Sequence, residues 1–214
     1  MGLRLLLLRH AQTVWNRDRR YQGWQDSALS EVGRAQAEAV GRALAKEPLK
    51  AIYASTLGRA RETAAAIAAH HGLPVRQEAD FREMAFGEWE GLCFDDCKAR
   101  DPDRFGLWAD APHRFVPPGG GETLEDVRAR VLAGLDRLRR EHEDQSVCLV
   151  AHGVSARVII LDALGLPLER IWSIHLAATG ISELEFRADW TALHRMNTLV
   201  HLDAIHLPSI KATT

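Results

Sequence analysis

Residues 3–8, Leu-Arg-Leu-Leu-Leu-Leu, form a short apolar run of strand length that ends in Arg9-His10. Apolar runs of this kind recur between stretches of helical period, a pattern that belongs to parallel sheets covered by helices. Ser30 is placed to cap a helix to about residue 46, with Val32, Ala35, Ala39 and Ala43 on one face, and Pro48 stops it. Residues 51–54 read as a second strand. Ser55 can then cap a helix whose apolar stripe is Leu57, Ala60, Ala64, Ile67 and Ala68, closed by Gly72 and Pro74. A long amphipathic helix carries Leu124, Val127, Val131, Leu135 and Leu138. Residues 146–151 are the third strong strand and end in His152-Gly153; a helix over 154–164 and strands over 181–186 and 193–196 follow. The series predicts an α/β fold of three layers, α/β/α. Its mainly parallel central sheet has about six strands with helices on both faces, in a single domain over 1–214.

Residues 85–121 break this rhythm. They hold Pro102, Pro112, Pro117, Pro118 and the triplet Gly119-Gly120-Gly121, yet also Phe94, Phe105, Trp108 and Phe115. An irregular, aromatic-bearing insertion of this kind is expected to act as a lid over a site.

Composition removes whole classes of function. With 46% hydrophobic residues in 214, disorder is excluded, and a net charge of -2 argues against a nucleic-acid partner. No apolar run approaches the roughly 20 residues that span a bilayer, so no membrane partner is expected and the protein reads as soluble and cytoplasmic. Cys93, Cys97 and Cys148 are too few for a disulfide framework and read as free thiols, and no carboxylate cluster suits magnesium, so no metal is expected. Of 27 basic residues 23 are Arg, whose donor fork suits carboxylates and phosphates. A homodimer stays open, because Ile171-Trp172 and the C-terminal strand could pack within the chain or against a partner.

In open α/β sheets ligands gather outside the carboxyl ends of the strands. Three strands here end in Arg9-His10, in Ser55 leading to Arg59, and in His152-Gly153. Two histidines and two arginines would thus meet on one rim, with a helix N-terminus aimed into it, an arrangement that suits an anion.

The motifs are Arg9-His10-Ala11-Gln12-Thr13 with Trp15-Asn16; Ser55-Thr56-Leu57-Gly58-Arg59-Ala60-Arg61-Glu62-Thr63-Ala64; Glu83 with Phe86-Gly87-Glu88-Trp89-Glu90-Gly91; and Ala151-His152-Gly153. In order and spacing the set resembles the histidine phosphatase superfamily, the phosphoglycerate-mutase-like fold, over residues 3–202. Tyr21-Gln22-Gly23-Trp24-Gln25-Asp26-Ser27 and the late Asn197-Thr198 with His201-Leu202 make the broad-specificity bacterial phosphatases the most similar branch. The resemblance implies His10 as the nucleophile that becomes phosphorylated. It also implies Arg9, Arg59 and His152 as holders of the phosphoryl oxygens, with Asn16, the Gln22-Gly23 pair and the Gly153 backbone as helpers. Glu83 would be the proton donor and acceptor, with no cofactor, and a small phosphorylated metabolite would be the partner. Ala11 stands where many members have Gly.

Elementary chemistry supports those roles. A neutral imidazole attacks phosphorus only if the phosphate dianion is neutralised, as two arginines and a protonated His152 would do. The same cations should keep the His10 lone pair available, and Met84 and Phe86 could desolvate Glu83. Plainer readings stand beside these. Arg59 could merely pair with Glu62 or Glu83; Glu78, Glu88 and Glu90 compete with Glu83 for the acid's role; Arg17, Arg19 and Arg20 read as solvated surface. His70, His71 and His142 read as helix-end contacts. Trp24, Phe86, Phe105 and Trp108 are lid core or pocket wall, with Phe86 and Trp108 leaning to the leaving-group pocket.

A phosphomonoesterase is the leading function. The rivals are a cofactor-dependent phosphoglycerate mutase, an α-ribazole phosphatase, a phosphoserine phosphatase and a non-catalytic phosphate-binding scaffold. Mutases carry a longer, more charged segment after the acid. The phosphoserine branch has a histidine three positions after it, where Phe86 stands here. A scaffold would have lost the nucleophile or the acid.

Overall fold

The computed structural model describes residues 2–203. The chain runs through β1 (Gly2–Arg9), α1 (Val14–Arg17), α2 (Glu31–Leu44), β2 (Leu49–Ser55), α3 (Gly58–Ala68) and β3 (Val75–Glu78). It continues through α4 (Phe94–Arg100), α5 (Pro102–Asp110), α6 (Leu124–Glu141), β4 (Ser146–Ala151), α7 (Gly153–Ala163), β5 (Ile181–Arg187) and β6 (Thr191–Thr198). One six-stranded sheet has the order β3-β2-β4-β1-β5-β6. Strands β3, β2, β4 and β1 are parallel; β5 runs antiparallel to β1, and β6 antiparallel to β5.

Alternation along the central strands divides the core between two faces. Leu3, Leu5 and Leu7 of β1 join Val147 and Leu149 of β4 and the Leu124, Val127, Val131, Leu135 and Leu138 stripe of α6 on one face, which α7 completes. Leu6 and Leu8 join Ile52, Cys148 and Val150 against α2 and α3 on the other. Both faces of β1 are therefore dry, which is why its sequence is apolar at nearly every position.

Four local expectations are corrected. The buried face of α2 is Gly33, Gln36, Ala37, Ala39, Val40, Gly41 and Leu44, while Val32 and Ala35 are only half-buried and Ala43 is exposed. The reason is close packing: a Cβ on Gly33 would lie 1.9 Å from the Gln12 carbonyl oxygen, and one on Gly41 2.5 Å from that of Ala66. Glycine and a hydrogen-bonded Gln36 interrupt the Ala37, Val40 and Leu44 stripe, so the buried face is not marked by apolar residues alone. Ser55 ends β2 rather than capping α3; Leu57 is the N-cap residue, without a side-chain bond, and the Asp26 carboxylate takes the Gly58 N–H from across the loop. Strand β3, an edge strand of sequence Val-Arg-Gln-Glu, has no apolar alternation and escaped the sequence reading. Finally, residues 85–121 are not irregular throughout but contain α4 and α5, the latter capped by Asp101 with Pro102 at its first position.

The aromatic residues of that insertion fasten it down. Trp89, Trp108 and Phe115 are buried and stack on one another with centroids 4.9 Å apart for the Trp89–Phe115 and Trp108–Phe115 pairs, and they are continuous with the main core. Ile171 is buried within the chain, and Trp172 stands edge-on to Trp108 and is 40% exposed. Among the described residues no helix is long and apolar enough to cross a membrane.

Candidate active site

The strand order β2-β4-β1 sets three carboxyl ends side by side. His10 follows β1 directly, its N–H donating to the Ala151 carbonyl at the end of β4 (3.0 Å). His152 is the N-cap residue of α7, and its ring centroid lies 5.1 Å from that of His10. Both rings are buried, His10 at 2% exposure and His152 at 0%.

Hydrogen bonds fix what each ring can do. His10 Nδ1 lies 2.7 Å from the Ala11 carbonyl oxygen; a carbonyl only accepts, so Nδ1 carries the proton and Nε2 keeps its lone pair. His152 Nε2 meets Ser55 Oγ at 2.7 Å, and Ser55 Oγ already accepts the Leu57 N–H (3.2 Å). Where the Ser55 hydroxyl donates to Nε2, the N–H of His152 sits on Nδ1. That Nδ1 is buried without a partner, as are Arg9 Nε and Arg59 Nε. Buried donors left open cost about 1–3 kcal/mol each. Three of them around one histidine form a cradle waiting for an acceptor.

Each cradle member is aimed by its other contacts. Arg9 Nη1 donates to the Leu176 carbonyl (2.9 Å). Arg59 in the first turn of α3 donates through Nη1 to the Gln25 carbonyl (2.8 Å) and Asp26 Oδ1 (2.9 Å), and through Nη2 to the Gly23 carbonyl (2.7 Å). Gly23 has φ +52°, and a Cβ there would lie 1.9 Å from a Glu90 carboxylate oxygen, so the loop closes on Arg59 only with glycine at this position. The Glu83 carboxylate accepts the Met84 N–H (3.0 Å) and the Val154 N–H of α7 (3.0 Å). A Cβ on Gly153 would lie 3.3 Å from Glu83 Oε2 and 3.9 Å from Arg9 Nε, so Glu83 faces the same space. Thr13 engages the amide oxygens of Asn16 (3.1 Å) and Gln22 (3.0 Å), which leaves their NH2 groups as donors.

The electrostatics follow from burial. Desolvation, then the charges of Arg59 and Arg9, hold the His10 imidazole well below its ordinary range. Burial, then Arg59 and the other neighbouring cations, do the same to His152. Protonating His152 would add a further buried charge beside two arginines, which is why its proton affinity is held down. Arg9 and Arg59 are likewise held below their ordinary range by burial, opposed by Glu83.

The structure thus brings His10, Arg9, Arg59, His152, Glu83 and Gly153 together, with Gly23 behind Arg59. Phe86 and Trp108 are buried in the aromatic cluster, Phe86 against Tyr21 and Trp108, where packing alone accounts for them. Trp24 is 40% exposed, donates through Nε1 to the Glu83 carbonyl (2.9 Å) and lies under the Arg82 guanidinium (3.7 Å). Arg17, Arg19 and Arg20 are exposed. Residues to which the sequence analysis gave no positioning role also build the site. Asp26 pairs with Arg59; Thr63 accepts the Ala11 N–H (3.0 Å) and donates to the Arg59 carbonyl (2.7 Å); Glu90 takes the Trp24 and Gln25 N–H groups. Their signal is weak in a sequence, since each acts on a partner far along the chain.

Two neutral, buried histidines make a prediction about pH. Their folded-state proton affinities lie below those of the unfolded chain, so between these values the unfolded state binds more protons. Stability is then complete above the ordinary histidine value of 6.5 and falls as pH drops through it. Paired carboxylates such as Glu183 act in the same direction only at lower pH. The urea midpoint of the ligand-free protein is expected to fall between about pH 7.5 and 5; a flat profile over that window would contradict the neutral pair.

The profile of the histidine phosphatase superfamily (branch 1) matches residues 5–199. The chain belongs to this superfamily. Phosphoserine phosphatase 1 of Hydrogenobacter thermophilus is 33% identical to it over 98% of this chain and 99% of its own. Among solved structures, Bacillus stearothermophilus YhfR superposes with a TM-score of 0.90 at 35% identity, over 94% of this chain and 99% of its own. Mycobacterial glucosyl-3-phosphoglycerate phosphatase in complex with VO3 superposes with a TM-score of 0.84 at 32% identity, over 92% and 99%. As a member of this superfamily with phosphatase relatives over its full length, the protein is a phosphoric monoester hydrolase acting on small phosphorylated substrates.

Proposed function

We propose that His10 Nε2 attacks the phosphorus of a small phosphate monoester and forms a phosphohistidine that water then hydrolyses. The observation that carries this reading is the His10 Nδ1–H bond to the Ala11 carbonyl, which leaves the opposite nitrogen as the free nucleophile inside a ring of unpartnered donors. Arg9 Nε, Arg59 Nε and His152 Nδ1 hold the phosphoryl oxygens, with the first-turn N–H groups of α7 adding their partial positive charge. In the first half-reaction the N–P bond forms, the P–O ester bond breaks and Glu83 gives its proton to the leaving oxygen. In the second, Glu83 accepts a proton from the water that attacks phosphorus, and the N–P bond breaks. Side chains supply all the charge neutralisation, so turnover persists with a chelator present. Asn16 and Gln22 donate their NH2 groups to the same phosphoryl group.

The test is rapid quench during turnover of a 32P-labelled monoester. An acid-labile, base-stable adduct on a peptide containing His10, with phosphate and alcohol released in equal amounts, is expected. A label on any other side chain, or transfer to a second phosphoglycerate faster than phosphate release, would overturn the reading.

A further inference from the structure

Beside Glu83 stands an arginine that these two half-reactions do not use. Arg157 lies one turn into α7, four residues after Gly153, so both face the same side of the helix. Its Nε donates to the Ile174 carbonyl (2.7 Å) and its Nη1 to the Gly153 carbonyl (3.0 Å). The guanidinium rests over Trp172, 5.2 Å from the ring centroid. A Cβ on Gly153 would lie 3.3 Å from Arg157 Nη1 and equally 3.3 Å from Glu83 Oε2. The missing side chain at Gly153 is thus what lets an arginine and the acid share one corner.

Two features separate Arg157 from a structural pin. Arg130, the other arginine behind Glu83, uses all three nitrogens on carbonyls and on Glu122. Arg157 leaves Nη2 without an acceptor among the described residues, and its side chain is only partly covered. Burial and the neighbouring Arg9 charge also push its pKa down to about 10, so its charge is under-compensated.

We infer that Arg157 is a specificity residue that binds a carboxylate on the leaving group, so that phosphate esters of hydroxy acids are preferred. This rests on the phosphatase reading above. Glu83 meets the leaving oxygen, and Arg157 is its neighbour; a leaving group short enough to reach both carries its anion a few bonds from the ester oxygen. Trp172, under the same guanidinium, is 40% exposed. A carboxylate fits better than a second phosphoryl group, because one guanidinium beside an acid cannot neutralise a further dianion.

The experiment compares 3-phosphoglycerate with glycerol 3-phosphate, which differ only in a carboxylate against a hydroxymethyl group. For the natural protein kcat/KM is expected to favour the carboxylate ester by about tenfold or more, carried by KM. Arg157→Gln should bring the ratio to within about twofold of unity, and Arg157→Lys should keep part of it. Equal kcat/KM in the natural protein would overturn the proposal, and so would a ratio unchanged in the Gln variant. If the Gln variant does not fold, the natural ratio and the Lys variant decide. Failure of the phosphatase reading looks different: neither ester nor p-nitrophenyl phosphate would release phosphate, and both proposals would fall together.

Discussion

His10→Ala is expected to lower turnover of p-nitrophenyl phosphate by at least about 10⁴-fold while leaving inorganic phosphate able to bind. The size of the effect follows from the absence of a substitute. His152, the nearest imidazole, has Nε2 engaged by Ser55 and presents a proton from Nδ1, so it is a donor where a lone pair is needed. Phosphate binding survives because Arg9 Nε, Arg59 Nε and His152 Nδ1 are positioned by carbonyls and by Ser55, none of which involves His10. Steady-state rates with chelator present, together with phosphate protection against thermal unfolding, check both halves. Residual turnover within about tenfold of the natural protein would remove His10 from the chemistry.

Arg59→Met separates activity from stability. The Arg59 side chain is fully buried, and only its Nε is open to a ligand. Losing it removes one phosphoryl donor and frees the loop of Gly23, Gln25 and Asp26, so kcat/KM should fall by about 10³-fold. For folding, two terms oppose each other. The carbonyls of Gly23 and Gln25 lose their partner, but a buried cation next to Arg9 and the two histidines also disappears. The thermal midpoint without ligand should therefore move little for so buried a change, while the rise that phosphate or vanadate produces in the natural protein should largely vanish. Arg59→Lys should not restore activity, since an ammonium cannot span Gly23, Gln25 and the ligand at once. A variant that loses stability heavily yet keeps its vanadate response would show that Arg59 holds the loop and not the anion.

Legibility in the sequence was greatest where chemistry and local pattern coincide. Residues 3–8 announced a doubly buried strand because nearly every position is apolar, and the α6 stripe announced its own face by its spacing. Helix α2 was misregistered because glycine and glutamine share its packed face with Ala37, Val40 and Leu44, and the fit of Gly33 and Gly41 depends on the Gln12 and Ala66 carbonyls of other segments. The insertion hid α4 and α5 because its aromatic residues serve a tertiary cluster and follow no helical period.

At the active centre the division is the same. Strand-end addresses pointed to His10, Arg9, Arg59 and His152, because residues flanking a strand or opening a helix travel with that element, while Glu83 came from the motif resemblance alone; the structure brings the five together. Which atom each histidine nitrogen faces, that the proton affinities of both rings are held down, that Asp26 rather than Ser55 serves α3, and that Arg157 shares a corner with Glu83 depended on partners up to 97 positions apart. Protonation and hydrogen bonding are set by burial and by the nearest acceptor in space. Those quantities exist only once the sheet order β2-β4-β1 has brought separate segments to one rim.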